Sequence, residues 1–449
     1  MATEASSSRV EPGDPPSAAA GTLLMQAIAL HRSDRLREAE PLYAAVLAAQ
    51  PDHPDALHFL GVLKHRQGAS DEAVALIGRA LALAPSPDAY NNLGNVLLQT
   101  GRAEEAVAAY RRVVALHPDD AAAHHNLGIA LQAVDQPVEA GIALERAIAL
   151  EPRQALFHYS SAMLWLRRGE PEMALPLFQV AIALDSKFNQ AHLARIRAIR
   201  MMGNQPGAAL QAVTEWLTLE PDNPVAQHYR AVYSGEVPPR ASDAFVRNIF
   251  DKYAASFDAH LGRLGYRAPQ LLEAAIAQVV GEPRAALDIL DAGCATGLCG
   301  PLLRPFARRL AGVDLAEAML AKARERDIYD ELSVGELTAF IAARQRCYDV
   351  IVSADTLVYF GDLAAVTLAA TGALRDGGAL AFSLERSAQA NDLGYRLEQH
   401  GRFSHHPDYV RRVLTDAGLT VARIDAATPR NEGGVPVAGL VVVARKLSG

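Results

Sequence analysis

The chain has 449 residues, half of them apolar and 21% charged, with a formal net charge of −8. That length points to two or three domains, and the acidic balance, unopposed by any Lys/Arg run, argues against nucleic acid as the main partner. Three cysteines without metal-site spacing and no apolar run near 18 residues exclude a disulfide framework, a metal site of zinc type and a membrane span; a cytoplasmic protein is expected.

Residues 1–20 are rich in Ser, Pro, Gly and Ala and are expected to form a disordered tail, without the basic-then-apolar pattern of a secretory leader. Residues 21–224 repeat with a period near 34. A small residue recurs as Ala39, Ala73, Ala106, Ala140, Ala174 and Ala209. A closing proline recurs as Pro51, Pro85, Pro118, Pro152 and Pro221, with Ser186 in its place once. Leu-Gly pairs at Gly61, Gly94 and Gly128 mark one face of the first helix, and Gly68, Gly101, Gly169 and Gly203 mark turns. These six units are similar to tetratricopeptide repeats. The resemblance implies stacked helix pairs forming a right-handed superhelix with a concave surface. The stretch DAYNNLGNVLLQTGRAEEAV resembles the repeats of O-linked N-acetylglucosamine transferase, in which concave-face asparagines hold an extended peptide. It implies a protein or peptide partner in the groove, with Asn92 and Asn126 as contacts, since an amide both donates and accepts. The ladder is incomplete: Phe59, Ser160 and Ala194 stand at the matching positions.

After Pro221 the period is expected to fail. Residues 225–281 read as a linker, GEVPPRAS, followed by a helical cap in which Phe250, Tyr253, Phe257 and Leu261 share one face. The cap resembles the one preceding the catalytic domain in bacterial methyltransferases that carry tetratricopeptide repeats. That implies Tyr253 and His260 as pocket residues, while Phe250 and Phe257 read as packing.

From residue 282 to 449 strand and helix alternate. Candidate strands are ALDILDAG, RRLAGVDL, LSVGEL, YDVIVSAD, GGALAFSLE, LTVARIDA and AGLVVVARK. The first runs into a glycine-rich turn, and the second ends in an acid, Asp314, which is the nucleotide-handling corner of a Rossmann-like sheet. A nicotinamide fingerprint needs glycines at 293, 295 and 298; these are Gly293, Ala295 and Leu298. The order of elements resembles class I methyltransferases, a seven-stranded sheet whose last strand inserts antiparallel. The expected fold is therefore an all-α repeat superhelix followed by an α/β Rossmann-like domain.

The resemblance implies S-adenosylmethionine as cofactor and no metal. Asp291 and Gly293 would line its amino-acid end, Ala295 would stand in the cofactor-binding turn, Gly297 would let the following helix approach, Asp314 would hold the ribose, and Leu315, Met319, Glu336 and Leu337 would lie at the adenine. Asp355 and Tyr359, past the fourth strand, would face the methyl group. In GRFSHHPDYVRRVL, read as a loop entering a helix, His405 would be a general base and Arg402 an anion-binding partner. A residue with φ above zero at 295 would weaken cofactor binding in an alanine. The leading reading is a methyltransferase whose repeats recruit a protein. Two alternatives stay open: a non-catalytic scaffold with a degenerate cofactor loop, and a small-molecule O-methyltransferase whose repeats serve assembly. The acceptor and the methylated atom are not legible.

Overall fold

The computed structural model describes residues 16–203, 207–389 and 391–447, with side chains from residue 20. The expected tail therefore lies mostly outside the described residues, and a helix already begins at Pro16. The chain divides between residues 205 and 206 into two compact units.

Among its described residues the first unit is built of helices and turns. Five helix pairs, from Pro16–Arg32 with Leu36–Ala49 to Ala155–Arg167 with Pro171–Leu184, are followed by the helix Asn189–Met201. The recurring small residue is a packing necessity: Ala39, Ala73, Ala106, Ala140 and Ala174 are all 0% exposed. The Leu-Gly glycines have the same cause. A Cβ at Gly61, Gly94 or Gly128 would come within 2.7 Å of Ile77, Tyr110 or Leu144 on the paired helix. Such overlap in a close-packed interior costs about 1–3 kcal/mol.

The period also carries a device that its residue types hide. His124, His158 and His192 each place Nε2 at 2.8–2.9 Å from the carbonyl six residues back, on Pro118, Pro152 and Ser186. Gln227 does the same to the Pro221 carbonyl at 3.0 Å. The period thus does not fail after Pro221. Asn223 caps a further helix, Pro224–Ser234, that begins like the first helix of a seventh unit.

The second unit opens with Ala208–Leu219 and Pro224–Ser234, continues through the cap helices Asp243–Tyr253 and Phe257–Arg263, and reaches Ala268–Val280. A nine-stranded sheet follows. Its strands are β1 (Leu287–Ala292), β2 (Ala307–Asp314), β3 (Glu331–Val334), β4 (Tyr348–Ser353), β5 (Leu374–Arg386), β6 (Tyr395–Leu397), β7 (Phe403–His405), β8 (Leu419–Ala427) and, after a small hairpin of β9 (Asn431–Glu432) with β10 (Val435–Pro436), β11 (Gly439–Lys446). The main order is β3-β2-β1-β4-β5-β11-β8. Strands β1 to β5 are parallel, and β11 inserts antiparallel to both β5 and β8. All seven expected strands are present. Two were not expected: β7 pairs with the last two residues of β5, beyond the end of β4, and carries β6.

The Pro-rich stretch read as a linker is fixed in place. The Pro239 carbonyl accepts from the Gly361 and Asp362 N–H groups, each at 2.8 Å, and the Ala241 N–H donates to the Tyr359 carbonyl at 2.8 Å. The segment leaving β4 is thereby tied to the segment that leads into the cap.

Candidate active site

Strand β1 ends where its carbonyl ladder meets a turn that needs left-handed backbone. Gly293, Ala295 and Gly297 have φ of +82°, +47° and +84°. The turn is pinned to β2: the Gly293 and Cys294 N–H groups donate to the Val313 carbonyl at 2.8 and 3.0 Å. The Ala295 N–H donates to Asp314 Oδ2 at 2.9 Å, and the Ala316 N–H to Oδ1 at 2.9 Å. Each carboxylate oxygen has a second lone pair, so Asp314 keeps acceptor capacity beyond these two bonds. Burial pushes its carboxyl up from the ordinary value, against the lowering effect of those backbone donors.

Left-handed backbone costs an L-residue about 1–2 kcal/mol, so Ala295 is strained where glycine would not be. Its methyl packs beside Ala254, Ala316 and Met319 together with Phe250 and Phe257 of the cap. The cap is latched to the turn by charge as well. Asp258 accepts from Thr296 Oγ1 at 2.5 Å and pairs with Arg326, whose Nε donates to the Thr296 carbonyl at 2.6 Å. Asp251 accepts from the Ala318 N–H at 3.3 Å.

Asp291 is 0% exposed. Its Oδ2 accepts from Tyr329 Oη at 2.6 Å, and its Oδ1 is buried without a partner. Burial raises its carboxyl to about 7, opposed by the Tyr329 bond and reinforced by Asp314. Gly293 is explained by protein packing: a Cβ there would lie 2.2 Å from Thr356 Oγ1, which donates to the Gly293 carbonyl at 3.1 Å. At Gly297 a Cβ would meet the Tyr329 ring at 2.9 Å.

The expected adenine residues divide. Leu315 is part-exposed, whereas Met319 is fully buried under the cap. Glu336 has both carboxylate oxygens on the N-terminus of the helix Leu337–Ala342, accepting from Thr338 and Ala339 N–H at 3.1 and 2.8 Å.

Past β4 and β5 the charges form one network. Asp355, at φ +52°, accepts from Ser383 Oγ at 2.8 Å and pairs with Arg430. Arg430 also pairs with Glu385 and, at 2.8 Å, with Glu432. Arg402 pairs with Glu385 and Glu432, each at 2.6 Å, and His400 Nε2 lies 3.1 Å from Glu385. Burial alone would raise the Glu385 carboxyl; the His400 hydrogen bond and the charges of Arg402 and Arg430 hold it at about 2. Tyr359 and Tyr266 flank this network, both with phenol groups raised by burial and by the charge of Asp355. Tyr359 meets the Phe250 ring edge-on at 5.6 Å.

Several site expectations are thereby corrected. Arg402 is no free anion binder, because two internal carboxylates already hold it. Asp355 is taken up by Arg430 and the Ser383 hydroxyl and is not free to orient an acceptor. His405 is 0% exposed and packs against Tyr395 and Tyr409, because the expected loop is strand β7. The Gly361 carbonyl, 3.1 Å from its Nε2, fixes the proton on that nitrogen, and burial lowers the imidazole to about 4. A neutral, sealed histidine is a core residue. Tyr253 is 44% exposed and touches His260 edge-on. In the first unit Asn92 bonds His58 at 2.8 Å and Asn126 bonds Asn91 at 2.9 Å. Both asparagines join neighbouring repeats through the amide groups that were expected to hold peptide.

Comparison with known proteins accounts for both halves. A methyltransferase-domain model matches residues 264–424. Tetratricopeptide-repeat models match 24–88, 125–187 and 94–135. The malonyl-[acyl-carrier protein] O-methyltransferase of Yersinia pestis is 28% identical over 180 residues, 39% of this chain and 64% of that protein. The protein of the same description from Acetivibrio thermocellus is 30% identical over 151 residues, 33% of this chain and 52% of the relative. The chain thus spans less than two thirds of the length of these curated relatives. A solved structure of Pseudomonas aeruginosa PilF aligns with TM-score 0.40 at 19% identity, covering 48% of this chain and 98% of that one. The chain carries tetratricopeptide repeats followed by a methyltransferase domain.

Proposed function

We propose that this chain, a tetratricopeptide array joined to a methyltransferase domain, uses S-adenosylmethionine to methylate an acceptor that a protein partner of the repeats presents or carries. The observation that carries the cofactor assignment is the pair of acids at adjoining strand ends. Asp291 offers a buried carboxylate oxygen with no partner, suited to an ammonium group, and Asp314 keeps lone pairs for two ribose hydroxyls. When bound, the cofactor supplies an electrophilic methyl group on a sulfonium. The protein's part is to orient and to exclude water. Asp291 and Asp314 fix the donor, the cap covers the turn, and Tyr266 and Tyr359 line the acceptor side. Malonyl-[acyl-carrier protein] O-methyltransferase activity in relatives supports transfer to oxygen. The repeats support recruitment of a protein.

The test is calorimetric titration with S-adenosylmethionine. Wild type should bind saturably. Asp314→Ala removes two charge-assisted hydrogen bonds of about 1.5–3 kcal/mol each, so affinity should fall at least about a hundredfold with the far-ultraviolet circular dichroism unchanged. No saturable binding by the wild type would favour the scaffold alternative, which the strain at Ala295 motivates.

A further inference from the structure

Between the last repeat-type helix and the acceptor-side charges runs a continuous set of polar contacts. His228, on the helix Pro224–Ser234, is 6% exposed. Its ring stacks on Phe245 with centroids 3.7 Å apart, and its Nε2 donates to the Gly401 carbonyl at 2.8 Å. The next residue, Tyr229, donates from its hydroxyl to the His400 carbonyl at 3.2 Å. Gly401 has φ +89°, and a Cβ there would sit 3.2 Å from Tyr229 Oη. The turn closes on itself, Gly401 N–H to the Glu398 carbonyl and Glu398 N–H to the Arg402 carbonyl, each at 2.8 Å. A short turn held at its apex fixes the two side chains that leave it, His400 and Arg402, and both grip Glu385.

We propose that His228 is a positioning residue for methyl transfer: it holds the turn 398–402, so that His400 and Arg402 hold Glu385, and Glu385 holds Arg430 against Asp355. The inference rests on the function proposed above. It assigns a repeat-type helix to the acceptor side of the site and leaves the donor side, built on β1 and β2, independent of it.

Three variants separate the hydrogen bond from the packing. His228→Phe keeps the stack on Phe245 and removes the donor. His228→Gln restores an N–H donor. Tyr229→Phe removes the outer bond to the His400 carbonyl and keeps the ring. The readout is the Nε–H cross-peaks of Arg402 and Arg430 in 15N correlation spectra, alongside titration with sinefungin, an unreactive amine analogue of the cofactor. In His228→Phe the Arg402 cross-peak should broaden to loss and that of Arg430 should shift. In His228→Gln both should stay near wild type, and in Tyr229→Phe both should shift less than in His228→Phe. Sinefungin affinity should stay within about twofold throughout, since none of its expected contacts is touched. Unmoved arginine signals in His228→Phe, or equal loss in His228→Phe and His228→Gln, would overturn the proposal. Absence of sinefungin binding by wild type would instead overturn the cofactor assignment on which it rests.

Discussion

Asp291→Asn tests the buried carboxylate directly. In the unfolded chain this carboxyl titrates near 3.8, and in the fold burial lifts it to about 7. Between those values the folded state binds more protons, so stability falls as pH rises, and the whole cost is present above about pH 7. Three units at 1.36 kcal/mol each set a ceiling of about 4 kcal/mol. Asparagine has the same shape and can still accept from Tyr329, but carries no charge. At pH 5 the carboxyl is protonated in the fold but ionised in the unfolded chain, so only about 1.6 kcal/mol of that cost has accrued and the variant gains less there. At pH 8 the variant should melt higher. Even half the ceiling, about 2 kcal/mol, moves the melting temperature of a unit this size by about 4–8 °C. The quantity to measure is the variant-minus-wild-type melting difference at pH 8 less that at pH 5, in which other titrating groups cancel. A zero value would refute the burial argument. Sinefungin should then reverse the order at pH 8, because its ammonium group stabilises only the ionised wild-type carboxylate.

Arg430→Met leaves Asp355, 14% exposed, without its ion-pair partner and removes one cationic partner from Glu385, 6% exposed, which keeps Arg402. Breaking such a buried pair costs about 3–5 kcal/mol, to be read as a lowered urea midpoint that Glu385→Gln added in the same chain partly restores. His405 titrates at about 4 in the fold against 6.5 free, so the unfolded chain takes up the proton first and stability drains away as pH falls through that window, by about 3 kcal/mol at its foot. His405→Gln should flatten this acid limb in denaturant midpoints measured from pH 7 to pH 4.5, and an unchanged slope would sink the assignment.

What the sequence makes legible is whatever a local pattern encodes. Each parallel strand is a short apolar run stopped by Gly or an acid, and the insertion of β11 follows from two strands with only a loop between them. The repeat glycines are equally local, since each faces its own helix partner some 16 residues on. The left-handed backbone at Ala295 was foreseen only as a condition, because an alanine does not advertise its φ. The histidines at 124, 158 and 192 are a periodic signal in plain sight, and Gln227 extends it, but the pattern declares itself only once the carbonyl six residues back is seen to accept each one.

Long-range charge compensation is another matter, because it depends on partners that sequence distance conceals. Glu385 closes an apolar strand, a position that hints at a role, yet Arg430 sits in an unpatterned loop 45 residues later. Arg402 therefore reads as a free cation from the sequence, while in the fold Arg402 and Arg430 face Asp355, Glu385 and Glu432. Two guanidinium groups against three carboxylates leave no surplus positive charge from arginine. An anionic acceptor must then displace one of the internal acids, and their exposure decides which: Glu432 at 35%, against 14% for Asp355 and 6% for Glu385, lies next to Gly433 and Gly434, both with positive φ. Displacing Glu432 frees one lobe of each arginine and leaves the Glu385 and Asp355 pairs intact, so it is the exchange that costs the network least.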